Sequence, residues 1–189
     1  NSNLITIDKE AFNGTPVQSL FIPSKVKELK EGWCKGTSNL NSITVSPDNK
    51  YYKCIKGEFI VGKSDEKIEN DDELILSSRN IIVAEIPSSI KRICSYSFSE
   101  CKRLKSVRFS RDSKLQIIDK YAFASSSLER INIPRQVIEI ADYAFYLCLQ
   151  LSSINFNDES ELVKIQKFAF SSTSLKTIFV PNKVEYIGE

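Results

Sequence analysis

The strongest constraint on the fold is an internal repeat, in which short segments of alternating apolar and polar residues recur along the chain. Seven such segments are visible, at residues 20–23, 43–45, 84–87, 107–109, 131–134, 154–156 and 178–181. The last apolar residues of successive segments are separated by 23, 41, 23, 24, 23 and 24 residues. A unit of this length cannot bury its own apolar face, so stacked units must share one core. The repeat therefore predicts a solenoid.

Each unit has the same internal order, which is clearest when residues 87–133 are laid over residues 134–180. A unit begins with alternating apolar residues, many of them β-branched, which predict a short strand with every second side chain pointing inward. Four of the seven segments end at a proline, which cannot extend the hydrogen-bond ladder. A second apolar pair and an Ala-Phe element follow, and we interpret this element as a short helical or 3-10 turn. We expect a β-rich solenoid of about seven short-strand rungs.

One phenylalanine recurs at the same place in most units. The recurring residues are Phe12, Phe98, Phe123, Phe145 and Phe170. Stacked rungs place such side chains above one another, and large apolar rings are more often buried than used to hold a ligand. These five residues are predicted to form a core ladder.

The full motif of a unit is Leu-x-x-Ile-x-Ile-Pro, then Val-x-x-Ile, then Ala-Phe-x-x-Cys-x-x-Leu. It is most regular over residues 128–151 and least regular in the second unit, where Trp33-Cys34 replaces Ala-Phe. This motif resembles the BspA-like class of leucine-rich repeats, which occurs in surface proteins of mucosal bacteria and of parasitic protists such as trichomonads. The resemblance implies a curved, right-handed solenoid that serves adhesion rather than catalysis.

The long step of 41 residues marks an irregular repeat at residues 46–80. Two apolar runs, 51–55 and 59–61, flank Lys56-Gly57, and this pattern predicts a β-hairpin followed by a further strand at 74–76. The resembled family often carries such an insertion, so we interpret residues 1–189 as a single solenoid rather than two domains. Both ends of the sequence fall inside a repeat, and we expect the array to continue beyond them.

An acidic loop lies within this irregular repeat. Residues 65–73 hold six acidic side chains and one lysine, and the candidate ligands for a cation are Asp65, Glu66, Glu69, Asp71 and Asp72. Calcium binding is one interpretation, but the spacing lacks the order of an EF-hand loop. A solvated acidic loop is the interpretation we favour, so no metal is predicted.

Other classes of function are excluded by residues that the sequence lacks. The chain has no histidine, which excludes the usual serine triads, cysteine-histidine dyads and histidine-ligated zinc sites. Its glycines form neither a dinucleotide nor a phosphate-binding motif, and its net charge of +2 comes without a basic run. Its longest apolar runs are far shorter than a membrane-spanning helix requires. We therefore expect no enzyme activity, no cofactor, no nucleic-acid binding and no insertion into a membrane.

A ligand is expected on the outward residues of the predicted strands. The residue before the last apolar position of each rung gives one column, namely Phe21, Thr44, Glu85, Arg108, Asn132, Asn155 and Phe179. A second column contains Arg130 among hydroxyl side chains, so Arg108 and Arg130 are predicted to lie on adjacent rungs. Two arginines surrounded by hydroxyl side chains can bind the acidic groups of a protein or glycan. The alternative is that both are only solvated strand residues.

The repeat pattern predicts a protein-interaction solenoid, and the resemblance implies that it belongs to a cell-surface or secreted adhesin, which binds host-cell or extracellular-matrix proteins or glycans through its strand-lined face. The alternative is an intracellular scaffold for protein assembly, built from the same repeats. The five cysteines do not decide between these compartments, because their number is odd and their spacing fits no disulfide framework.

Overall fold

The computed structural model describes residues 2–189 and shows a β-solenoid of about eight turns. Its strands, in chain order, are β1 (Thr6–Ile7), β2 (Ser19–Ile22), β3 (Glu28–Leu29), β4 (Ser42–Val45), β5 (Tyr52–Ile55), β6 (Phe59–Gly62), β7 (Glu73–Ser77), β8 (Val83–Ile86), β9 (Arg92–Ile93), β10 (Ser106–Phe109), β11 (Ile117–Ile118), β12 (Arg130–Ile133), β13 (Glu139–Ile140), β14 (Ser153–Phe156), β15 (Lys164–Ile165) and β16 (Tyr186–Ile187). The β-rich solenoid predicted by the repeat is confirmed.

Two ribbons of parallel strands run along the solenoid. Ribbon A consists of the four-residue strands β8, β10, β12 and β14, and ribbon B consists of the two-residue strands β9, β11, β13, β15 and β16. Two small parallel sheets, β2 with β4 and β1 with β3, occupy the N-terminal turns. Each complete turn therefore contributes one longer and one shorter strand.

The strands of ribbon A alternate between the core and the surface, as their sequence predicts. In β12, Ile131 and Ile133 are buried, while Arg130 and Asn132 are exposed. Ile131 lies in register with Val107 of β10 and with Ile154 of β14. Because the register repeats from strand to strand, inward residues stack on inward residues and the core is continuous along the ribbon.

The Ala-Phe elements are turns, and the short helical turns predicted for them are not formed. The segment around Phe145 is closed by a hydrogen bond from Ala144 N to Ala141 O at 3.2 Å. Tyr143 and Leu147, on either side of Phe145, both have φ of 56°. A helix requires consecutive right-handed residues, and these left-handed residues break it on both sides. The part of the chain described by the structure contains no helix at all.

The irregular repeat contains the predicted hairpin. Strands β5 and β6 pair antiparallel. In the turn between them, Lys56 (φ 53°) and Gly57 (φ 70°) lie in the left-handed region. Two central residues with positive φ are typical of the turn that matches the twist of a hairpin. The predicted third strand is also present, because β7 pairs antiparallel with β6 and parallel with β9. The insertion thereby joins the edge of ribbon B.

The hairpin divides the interior into two cores. Strand β6 is buried on both of its faces. Phe59 and Val61 pack into the larger core, which extends through ribbons A and B, while Ile60 between them packs into a smaller N-terminal core. Strand β7 is divided in the same way, with Leu74 in the larger core and Leu76 in the smaller one. The insertion is therefore a shared wall rather than an appendage.

The recurring phenylalanines stack in the larger core. The ring centroids of Phe98 and Phe123 are 4.9 Å apart, those of Phe123 and Phe145 are 5.1 Å apart, and those of Phe145 and Phe170 are 5.3 Å apart. Phe12 does not join this stack, because the shared wall separates it from Phe98. It packs edge-on against Trp33 in the smaller core at 6.2 Å instead.

The seventh predicted strand, at residues 178–180, is not formed. Its side chains are exposed, and Phe179 reaches 86% exposure. The segment lies beside β14, with which it lines a cavity.

A buried arginine lies at the seam between the two cores. Arg79 is only 2% exposed. One of its terminal nitrogens donates to Ser97 O at 2.8 Å and the other donates to Tyr96 O at 3.4 Å. The Sγ atoms of Cys101 and Cys34 lie 3.7 and 3.9 Å from the same two nitrogens. Burial raises the pKa of Cys34 to about 11 although the neighbouring guanidinium opposes this shift, so its thiol is protonated at neutral pH.

Candidate interaction surfaces

The outward column of ribbon A consists of side chains that pair with each other. Glu85 and Arg108 lie in register on β8 and β10, and Arg108 Nη1 lies 3.5 Å from Glu85 Oε1. Asn132 and Asn155 lie in register on β12 and β14, and the amide of Asn155 donates to Asn132 Oδ1 at 3.0 Å. All four residues lie at the surface. They form one exposed polar row across four strands.

Arg130 lies in the neighbouring row of the same surface. It is in register with Ser106 of β10 and with Ser153 of β14. Arg108 and Arg130 therefore lie on adjacent strands but in different rows, so they are diagonal neighbours. Arg108 is already paired with Glu85, and Arg130 forms no ion pair with any residue in the described range 2–189.

The predicted column is not continuous along the solenoid. Phe21 and Thr44 lie in register on β2 and β4, but β4 does not pair with β8. The turn of the hairpin, Lys56-Gly57, lines a cavity of about 490 Å³ between these strands. Phe179 lies outside any strand. The insertion thus separates the expected face into an N-terminal pair and the four-strand surface of ribbon A.

A longer groove runs along ribbon B, and no pattern in the sequence predicts it. Its volume is about 730 Å³, and its lining extends from Leu29 to Gln166. Arg92 lies in its floor between two carboxylates, 2.9 Å from Asp119 and 3.6 Å from Glu73. Burial raises the pKa of Glu73, and the nearby Arg92 opposes this shift. The charge of Arg92 is therefore balanced by two carboxylates within the groove.

A second aromatic stack borders this groove. The ring centroids of Tyr96 and Tyr121 are 5.1 Å apart, those of Tyr121 and Tyr143 are 4.7 Å apart, and those of Tyr143 and Phe168 are 5.2 Å apart. Burial raises the pKa of Tyr96 to about 12. The sequence signal for this stack is an aromatic residue two positions before each of the four stacked core phenylalanines. Since the ring faces cover one another, mainly ring edges remain for a partner.

Several carboxylates of the acidic loop form hydrogen bonds or ion pairs within the protein. Asp72 accepts hydrogen bonds from the backbone N–H and the hydroxyl of Ser64, both at 2.8 Å. Asp71 forms an ion pair with Lys53 at 3.0 Å. Asp65 accepts a hydrogen bond from a backbone N–H within the loop. Within residues 2–189 no three acidic or cysteine side chains converge as metal ligands, so the calcium interpretation gains no support.

The five cysteines are all free thiols, and Cys34, Cys101 and Cys148 are buried. Cys148 donates to Phe123 O at 3.0 Å, which places it inside the turn of the preceding rung. Residues 2–189 also contain no helix with the length and apolar character needed to cross a bilayer.

Comparison with known proteins agrees with this architecture. A family model described as a BspA type leucine rich repeat region matches in six copies over residues 1–60 and 73–189. No curated protein matches the chain. The gap in the family match, 61–72, begins in the second half of β6 and extends to the residue before β7, so the acidic loop lies in the part of the chain that departs from the family pattern.

Three solved structures illustrate the likeness of fold. A leucine-rich repeat protein from Eubacterium ventriosum is 22% identical with a TM-score of 0.75, over 99% of this chain and 61% of that one. A leucine rich cell surface protein from Faecalibacterium prausnitzii is 25% identical with a TM-score of 0.64, over 98% of this chain and 51% of that one. The pneumococcal vaccine antigen PcpA is 19% identical with a TM-score of 0.64, over 91% of this chain and 51% of that one.

The chain spans between about half and three fifths of the length of these three proteins. The family model covers most of its residues, and the two ribbons follow the repeat that the model describes. The chain belongs to the BspA-type leucine-rich repeat family, whose repeats form a protein-interaction fold.

Proposed function

We propose that this chain is the non-catalytic interaction region of a cell-surface adhesin, and that it binds a host-cell or matrix protein or glycan through ribbon A. The observation that carries this proposal is the exposed polar row of Glu85, Arg108, Asn132 and Asn155 on four strands in register. Rigid strands hold these side chains at fixed spacing, and a repeat surface of this kind suits an extended ligand.

The arginines supply the strongest recognition groups of this surface. Arg130 forms no ion pair in the described chain, and the pair of Arg108 with Glu85 is highly exposed. Exposed ion pairs contribute little to stability, so Arg108 can exchange its partner for an anionic group of a ligand at small cost. Guanidinium groups bind carboxylates and sulfates through paired hydrogen bonds. A partner with acidic groups therefore fits the surface.

A location at the cell surface is supported by the 25% identical Faecalibacterium prausnitzii protein, which is described as a leucine rich cell surface protein. An intracellular scaffold is the second candidate, and the five unbridged cysteines favour it, because free thiols are typical of reducing compartments. Three of these thiols are buried, and burial protects them from oxidation in either compartment.

The test is binding of the protein to intact host cells and to an array of matrix proteins and glycans. The double variant Arg108→Ala, Arg130→Ala is compared with the control Arg103→Ala, Lys120→Ala, which removes two positive charges outside ribbon A. We expect saturable binding that the ribbon A variant lowers at least roughly tenfold, since charged hydrogen bonds contribute on the order of 1.5–3 kcal/mol each. Equal loss in both variants would remove the support for this surface.

A further inference from the structure

A small cavity opens beside the hairpin, and residues from three separate segments form its wall. Its volume is about 290 Å³, and it is lined by Lys27, Lys50, Tyr51, Tyr52, Lys63 and Glu66. Lys27 precedes β3, Lys50 precedes β5, and Lys63 follows β6. Lys27 and Lys50 occupy equivalent places in successive turns, five residues after the ends of β2 and β4. Lys63 and Glu66 lie in the segment 61–72 that the family model does not match, so the insertion completes the cavity.

The cavity is strongly cationic. Its lining holds three lysines and a single carboxylate residue, Glu66. None of the three lysines forms an ion pair within residues 2–189, whereas the neighbouring Lys53 and Lys91 pair with Asp71 and Asp72. The cavity lining therefore carries a local excess of positive charge, which favours an anionic ligand.

The wall of the cavity is fixed by a buried asparagine. The amide of Asn49 donates to Pro23 O at 2.7 Å and to Val26 O at 3.0 Å. Its Oδ1 accepts the backbone N–H groups of Tyr51 and Tyr52 at 2.8 and 2.9 Å. All hydrogen-bonding groups of this amide are thus used to attach the start of β5 to the preceding turn. A site held in this way needs little ordering when it binds.

The two tyrosines give the cavity apolar surface. The hydroxyl of Tyr52 donates to Lys27 O at 3.1 Å and accepts from Leu29 N at 3.2 Å, so this residue offers mainly its ring to the cavity. The ring also packs against Gly62, where an added Cβ would lie 3.1 Å from the Tyr52 ring and 3.2 Å from Tyr51 O. Aromatic rings beside ammonium groups suit a ligand that has both an apolar face and a negative charge.

We propose that this cavity binds an anionic sugar residue, with its sulfate or carboxylate between the ammonium groups and its ring against the tyrosines. The volume lies near the lower end for ligand sites, which fits one sugar unit rather than a peptide or a nucleotide. The site is separate from ribbon A and does not depend on the function proposed for that surface.

The experiment measures binding by calorimetry, with the methyl glycoside of a sulfated monosaccharide as the probe. Its unsulfated form and inorganic sulfate are tested alongside. One variant combines Lys50→Gln with Lys63→Gln, and a second carries Glu66→Gln alone. The control variant combines Lys9→Gln with Lys176→Gln, which removes two exposed lysine charges elsewhere. Thermal melting of each variant verifies that it is folded.

We expect the sulfated probe to bind the unaltered protein more tightly than either reference compound. The Lys50, Lys63 variant should bind it at least roughly tenfold more weakly, the Glu66 variant a few-fold more tightly, and the control pair about as the unaltered protein does. Binding should also weaken as salt is raised, because the attraction is screened.

Three results would overturn the proposal. They are absence of binding to the folded protein, equal binding of the sulfated and unsulfated probes, and unchanged affinity in the Lys50, Lys63 variant. If inorganic sulfate binds as tightly as the sulfated sugar, the site recognises a simple anion and the sugar part of the proposal is wrong.

Discussion

Removal of one ring from the middle of the phenylalanine stack tests the repeat core directly. Phe123 is fully buried between Phe98 and Phe145, at centroid distances of 4.9 and 5.1 Å. Truncation of a buried phenylalanine to alanine costs about 3–5 kcal/mol. Because Phe123 has a stacked ring on both sides, we expect Phe123→Ala to lower the free energy of unfolding by about 4–5 kcal/mol, near the top of that range.

Urea unfolding provides the measurement, followed by far-ultraviolet circular dichroism and by the fluorescence of Trp33. This residue is the only tryptophan and lies in the smaller core, whereas Phe123 lies in the larger one. Since β6 and β7 contribute side chains to both cores, both signals should shift by the same amount. The control is Phe21→Ala, whose ring is 57% exposed, and we expect it to cost less than about 1 kcal/mol. A cost of Phe123→Ala no larger than that of the control would refute the stacked core, and a shift confined to circular dichroism would refute the shared wall.

Three further predictions concern single side chains. Asn49→Ala should destabilise the protein by roughly 2–4 kcal/mol in the same unfolding assay, because it leaves buried backbone groups without hydrogen-bond partners. A loss of stability below about 1 kcal/mol would contradict the anchoring role of Asn49. The hydrogen bond from Lys105 and its charge lower the pKa of Glu129, so the stabilisation from Glu129 is present at neutral pH and is lost as the pH falls through that lowered pKa. In Lys105→Ala the pKa of Glu129 should be higher than in the unaltered protein, and a pH titration followed by nuclear magnetic resonance measures it. An unchanged pKa would show that Lys105 and Glu129 do not pair in solution. Cys54 is only partly buried and should react with a thiol reagent before Cys34, Cys101 and Cys148 in the native protein, whereas faster labelling of any of these three would contradict their burial.

The strands and the hairpin could be predicted from sequence because local patterns determine them. Alternation of apolar residues defines β12, and the Lys56-Gly57 pair defines the hairpin turn. The same kind of argument failed at the Ala-Phe elements. The pattern around Phe145 resembles a helical turn, but Tyr143 and Leu147 adopt left-handed conformations that no propensity of these residue types indicates.

The division of the surface could not be predicted, since it depends on where a distant segment packs. The outward positions of Thr44 and Glu85 follow from the strand pattern, but the hairpin lies between their strands only because Ile60 and Phe59 enter different cores. The cavity lined by Lys27, Lys50 and Lys63 has the same origin. The repeat places Lys27 and Lys50 on successive turns, but only the packing of the hairpin brings Lys63 beside them.

Protection of the arginines of ribbon A in a complex is the most direct measurement of whether ribbon A is the binding surface. The protein is treated with phenylglyoxal, which modifies exposed arginines, alone and saturated with a ligand found on the array, and each site is quantified by mass spectrometry. We predict that the ligand protects Arg108 and Arg130 while Arg103, outside ribbon A, is modified at an unchanged rate. Unchanged modification of Arg108 and Arg130 in the saturated complex would contradict binding through ribbon A.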